Sequence, residues 1–92
     1  MKYLAFIHTE TSGDHEAPFG ISFPDFPGCV SDGDSMDMAL ARGRAALALH
    51  IRGMKQDAIP IPEPRTIDAI MADDSLAGWR DGALFVWVPY IG

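Results

Sequence analysis

Between Met36 and Gln56, apolar residues recur every three to four positions: Met36, Leu40, Gly43, Leu47, Ile51 and Met54, joined by Ala39, Ala46 and His50. The opposite positions hold Asp37, Ala41, Arg44, Ala48, Arg52 and Lys55. Such a stripe on a 3.6-residue period predicts one amphipathic helix that must lay its apolar side on something flat. Asp34 or Ser35 stands where an N-cap belongs, Asp37 suits the positive dipole end, and Arg52 and Lys55 suit the other. Gly43 falls on the apolar face, where a missing side chain lets the helix axis approach a sheet, at about 1 kcal/mol of helix propensity relative to alanine.

The sheet is predicted on both sides of this helix. Tyr3 to His8 alternates, with Leu4, Phe6 and His8 on one side and Tyr3, Ala5 and Ile7 on the other, and is apolar on both. Thr9 to Pro18, around Gly13-Asp14, is polar and suits a hairpin loop. Phe19, Ile21 and Phe23 alternate with Gly20 and Ser22 as a second strand, which Pro24 and Pro27 stop because neither can donate to a ladder. Cys29 to Ser31 is a short third strand, and Asp32-Gly33-Asp34 turns out of it. After the helix, three alternating prolines in "IPIPEPRT" (Ile59 to Thr66) exclude helix and central strand and imply an extended run. Thr66 then caps a short helix, Ile67 to Ala72, and Asp73 to Gly82 is a polar connection holding Leu76 and Trp79. "ALFVWVPY" is apolar on both faces and predicts a buried last strand, with Trp87 in the core. The fold class is therefore α+β, in the order β-β-β-α-(short α)-β, a small mixed sheet with helices packed on one face.

Ninety-two residues suit one domain. Thirteen acids against seven Lys and Arg give a formal charge of −6, which repels phosphate backbones and speaks against direct DNA or RNA binding. A basic protein partner is favoured instead. A single cysteine, Cys29, excludes an internal disulfide. No run approaches the length of a membrane span, and the N-terminus lacks a secretion signal, so the expectation is a cytoplasmic chain without membrane attachment.

Candidate chemistry is thin. Asp25, Asp32, Asp34 and Asp37 bring carboxylates near glycines, but their spacing matches no calcium loop, and Asp34 and Asp37 have a role at a helix start. Cys29 paired with a histidine would make a nucleophile, yet His8, His15 and His50 are scattered over strand, loop and helix, and a lone Cys by a strand is usually buried. No phosphate loop, Cys-x-x-Cys or His-Glu-x-x-His occurs. No catalytic residue, metal site or cofactor is expected.

The stretch "FGISFPDFPGCVSDGDSMDMALARGRAALALHI" resembles the N-terminal module of HicB-family antitoxins of type II toxin–antitoxin systems. The resemblance rests on Phe19-Gly20, the corner Phe23 to Cys29, Gly33-Asp34-Ser35, the helix Ala39 to Ile51, the Pro-x-Pro segment Ile61 to Pro64, and Val88-Pro89. In that family Phe23, Pro24, Pro27, Gly28 and Gly33 belong to the structural motif. The resemblance implies a partial RNase H-like fold and a non-catalytic role: binding a small basic HicA-type toxin, an mRNA-cleaving ribonuclease, and occluding its catalytic histidine. Longer members carry a C-terminal DNA-binding domain, which these residues do not include. Charge and exposure reasoning, not the family motif, selects Asp25, Phe26, Asp32, Asp34 and Trp79 as partner-binding. Two rival readings are a metal-dependent RNase H-like nuclease, against which the acid-free first strand speaks, and a homo-oligomeric scaffold or ligand sensor. Apolar strands in a small domain often pair across a symmetry axis, so a homodimer or larger assembly is expected.

Overall fold

A computed structural model describes residues 1–9 and 19–91. The predicted hairpin loop, with His15, lies outside the described residues apart from Thr9. Three strands come first: β1 (Lys2–Thr9), β2 (Phe19–Ser22) and β3 (Val30–Gly33). The long helix α1 (Met36–Gln56) follows, then α2 (Ile67–Met71), a 3-10 turn (Asp74–Leu76), the single-turn helix α3 (Ala77–Arg80), and β4 (Leu84–Pro89). The strands form one four-stranded sheet in the order β3-β2-β1-β4.

The sheet is antiparallel throughout, where the sequence led us to expect a mixed one. The reason lies in the connection after α1. The Tyr3 hydroxyl donates to the Pro62 carbonyl, so the extended segment after α1 passes the end of the sheet where β1 begins. The α2, 3-10 and α3 turns then carry the chain back along the sheet, and β4 starts beside Ile7. It therefore runs against β1.

Helices also cover both faces, not one. Tyr3, Ala5 and Ile7 pack with Ile21, Leu47, Ile51 and Val88 on the α1 side, whereas Leu4 and Phe6 pack with Ile70, Leu76, Ala83 and Phe85 on the other. Alternation alone dictates this. A strand apolar at successive positions exposes one apolar row unless both faces are covered. The β1–β4 half of the second face receives α2 and the 3-10 turn; over the β2–β3 half the described residues place the side chains of Leu76, from the 3-10 turn, and Trp79, from α3.

Ser35 caps α1, its hydroxyl accepting from the Met38 amide at 3.1 Å. Thr66 caps α2 in the same way. Asp32 and Gly33 belong to β3, not to a turn beyond it, because Gly20 and Phe19 of β2 pair with them. Gly33 is buried directly beneath the first turn of α1, where an added Cβ would lie 2.8 Å from the Met38 carbonyl carbon and 2.9 Å from the Ala39 Cα. Gly43 lets the middle of the same helix settle on Ile21. Trp87 departs from expectation: it is 43% exposed, because β4 is an edge strand and not a central one.

Candidate functional site

The corner Phe23 to Cys29 consists of two consecutive β-turns. The Phe26 amide donates to the Phe23 carbonyl at 3.0 Å, and the Cys29 amide to the Phe26 carbonyl at 2.9 Å. Pro24 and Pro27 each hold the second position of a turn, where a fixed φ near −65° is wanted. Gly28 holds the third position of the second turn with φ +89, a conformation in which a side chain is strained. This geometry turns the Phe26 ring inward. It meets Tyr3 edge-on, with centroids 4.7 Å apart, and His50 of α1 at 5.7 Å.

Two of the residues selected as partner-binding are thereby removed from the surface. Phe26 is a core side chain, because the turn points it under α1. Asp25 has only 2% of its side chain exposed. Its carboxylate accepts from the backbone amide of Arg65 at 3.1 Å and from the Arg65 Nε. The same guanidinium reaches Asp73 at 3.0 Å through Nη1 and the Pro24 carbonyl at 3.1 Å through Nη2. Arg80 completes the cluster by donating to the Ile70 and Asp73 carbonyls. Asp25 is thus a clamp that joins the corner to the proline-rich segment and to the start of α2. Its charge is met internally.

The bonds to Asp25 raise the Arg65 pKa above its ordinary value, with Asp73 adding to the effect and burial opposing it. Asp73 is lowered by its bonds to Ser75, then by Arg65. A carboxylate depressed in the folded state stabilises above its unfolded pKa and loses that contribution as pH falls through the folded one. Stability should therefore decline below about pH 4, and Ser75→Ala should flatten that decline in thermal melts recorded from pH 5 to pH 2. An unchanged slope would show that the Ser75 bonds do not hold Asp73 down.

Asp32 and Asp34 are exposed. Among the described residues, Asp32 has only a loose partner, Arg42 at 3.6 Å, with 62% of its own side chain in solvent, a pair of the kind that contributes little. Trp79 is 52% exposed and approaches His8 edge-on at 6.4 Å. Among the described residues, no group of three or more His, Cys, Asp or Glu side chains converges as a metal site would require. Cys29 is buried, and burial pushes its thiol up to about 11. Iodoacetamide at pH 8 should accordingly label it only after denaturation; labelling of the native chain at the rate of a free thiol would contradict this placement. Among the described residues, no helix is long and apolar enough to cross a membrane.

One further feature escaped the sequence. Leu76 and Trp79, on turns too short to show a period, project over the β2–β3 half of the open sheet face and line a recess with Phe6, Ser22, Pro27 and Val30.

A four-stranded antiparallel sheet with one long helix on one face and short helices on the other, closed by a Pro-Asp-Phe-Pro-Gly corner, defines a small α+β module. Residues 3–88 match the family model of HicB-like antitoxins of bacterial toxin–antitoxin systems, and the chain belongs to that family. Its fold is similar to the crystal structure of the N-terminal domain of the Burkholderia pseudomallei antitoxin HicB, with TM-score 0.75 at 23% identity over 99% of both chains. A chain of the HicA3–HicB3 toxin–antitoxin complex matches with TM-score 0.72 at 25% identity, over the full length of both. An uncharacterised 14.9 kDa protein of Haemophilus phage HP1 is 38% identical over 48 residues, 52% of this chain and 36% of that relative's length.

Proposed function

We propose that this chain is an antitoxin module that binds a small basic RNA-cleaving toxin and neutralises it by covering the toxin's active site. The observation that carries this reading is the full-length likeness to a chain of a toxin–antitoxin complex, within a family of antitoxins. The charge of −6 supports it, since an acidic surface accelerates encounter with a basic protein and repels nucleic acid. The role is non-catalytic and needs no cofactor. The toxin encoded beside this gene should bind the purified chain with submicromolar affinity in a calorimetric titration at 0.15 M salt. A flat titration at tens of micromolar would refute the proposal.

A specific observation also favours self-association. β4 is an edge strand whose residues, Leu84 to Pro89, include no charge, and such an edge invites a second strand. A second copy pairing along β4 would make a twofold dimer. Sedimentation equilibrium should give twice the 10.0 kDa chain mass, and Trp87→Pro, which removes a backbone donor on the open side of β4, should shift the mass towards the monomer. A monomer at all concentrations would exclude this pairing.

A further inference from the structure

The β2–β3 half of the second sheet face, which Leu76 and Trp79 only partly roof, is built for an occupant. Register places Phe6, His8, Gly20, Ser22, Val30 and Asp32 on one face, opposite α1. The recess there, roofed by Leu76 and Trp79, has a volume of about 150 Å³, the size of cavity that accepts a single benzene-like ring. Its rim is open: Val30 is 56% exposed, next to the half-exposed Trp79. Its floor is polar in one place. The Ser22 hydroxyl is buried without a hydrogen-bond partner among the described residues, as is the neighbouring His8 Nε2. Buried polar atoms are nearly always paired, so two orphans on one open face call for a partner. An apolar ring with a hydrogen-bonding tip fits both the space and the orphan, which is the chemistry of tyrosine or tryptophan.

Charge selects the protein that carries this ring. Asp32 shares the face with Val30, while exposed Asp74 and Asp81 flank the turns that supply Leu76 and Trp79. The nearby cations are engaged or solvated: Arg80 is held by the Ile70 and Asp73 carbonyls, and Arg42 touches Asp32 only loosely. We infer that this face is where the basic toxin docks, inserting one tyrosine or tryptophan side chain into the recess with a hydrogen bond to the Ser22 hydroxyl. The inference rests on the toxin-binding reading above and adds the surface and the anchoring chemistry.

The test is calorimetric titration of the full chain with the toxin encoded beside its gene. Trp79→Ala should weaken binding about 30-fold or more, as loss of a central aromatic does, and Val30→Asp should do the same at an edge position that tolerates charge in the free chain. Leu49→Asp, on the exposed outer side of α1, should bind as the unaltered chain does. Ser22→Ala carries a signature of its own. It should raise the melting temperature of the free chain, by removing an unpaired buried hydroxyl, while weakening the complex about 5-fold. Should Trp79→Ala fail to fold, Val30→Asp and Ser22→Ala still decide the question. Unaltered binding by both of these, with the parent chain binding normally, overturns the docking surface alone. A parent chain that does not bind overturns the toxin-binding reading as well.

Discussion

Asp25→Ala is expected to destabilise the fold by about 2–3 kcal/mol, a far larger loss than a surface aspartate would give. The carboxylate is buried and accepts both the backbone amide and Nε of Arg65. Its removal leaves a guanidinium beneath the corner with Asp73 and the Pro24 carbonyl as its remaining partners. Breaking one side of a fully buried ion pair costs about 3–5 kcal/mol. Arg65 keeps 33% of its side chain in water, which allows partial resolvation and brings the cost below that range. In a domain of this size the loss corresponds to about 10–20 °C in melting temperature. Asp25→Asn, which retains the shape and one acceptor, should recover only part of it. A change under about 0.5 kcal/mol in urea unfolding would mean that Asp25 behaves as a surface charge after all.

Gly33→Ala should cost about 3 kcal/mol or more, although it adds one methyl group. The new Cβ would meet backbone, not side chain: the Met38 carbonyl carbon at 2.8 Å and the Ala39 Cα at 2.9 Å. Backbone in the first turn of α1 can yield only if the helix lifts from the sheet. That would loosen Ala39, Leu47 and Ile51, which α1 buries there, so the strain reaches the upper range for overpacking. Gly43→Ala is the matched control. Its Cβ would lie 2.6 Å from the Ile21 Cδ1, a side-chain tip that can rotate, and alanine returns about 1 kcal/mol of helix propensity. The Gly33 variant should therefore unfold at clearly lower urea concentration than the Gly43 variant. Equal midpoints would contradict the close approach of α1 to β3.

What could be read from sequence divides along a physical line. α1 was legible to its end residues, since twenty-one residues of one period leave little freedom. Thr66 was legible as a cap because capping is local chemistry. The Asp25–Arg65 clamp was not, because its partners lie 40 residues apart and side-chain pairing across that distance leaves no periodic trace. A signal did exist: Arg65 is the only Lys or Arg between Lys55 and Arg80, set in a proline run where a solvated cation has no evident purpose. Coverage of both sheet faces was implicit in the doubly apolar β1, yet which helices supply it depends on the return path through α2 and α3. The exposure of Trp87 leaves no trace in the sequence for a related reason. An apolar strand looks the same in sequence whether its neighbours flank it on two sides or on one. The recess beneath Trp79 depends on turns of three and four residues, below the length at which a pattern emerges.

The central claim, that this chain neutralises an RNA-cleaving toxin by covering its active site, is tested most directly by RNA cleavage at fixed toxin concentration with increasing amounts of this chain. Tight active-site occlusion predicts that cleavage falls linearly and is abolished at a stoichiometric equivalence point, and that Trp79→Ala moves the inhibition curve to higher concentration. Cleavage that continues unchanged in the presence of a large excess of the folded chain would contradict it.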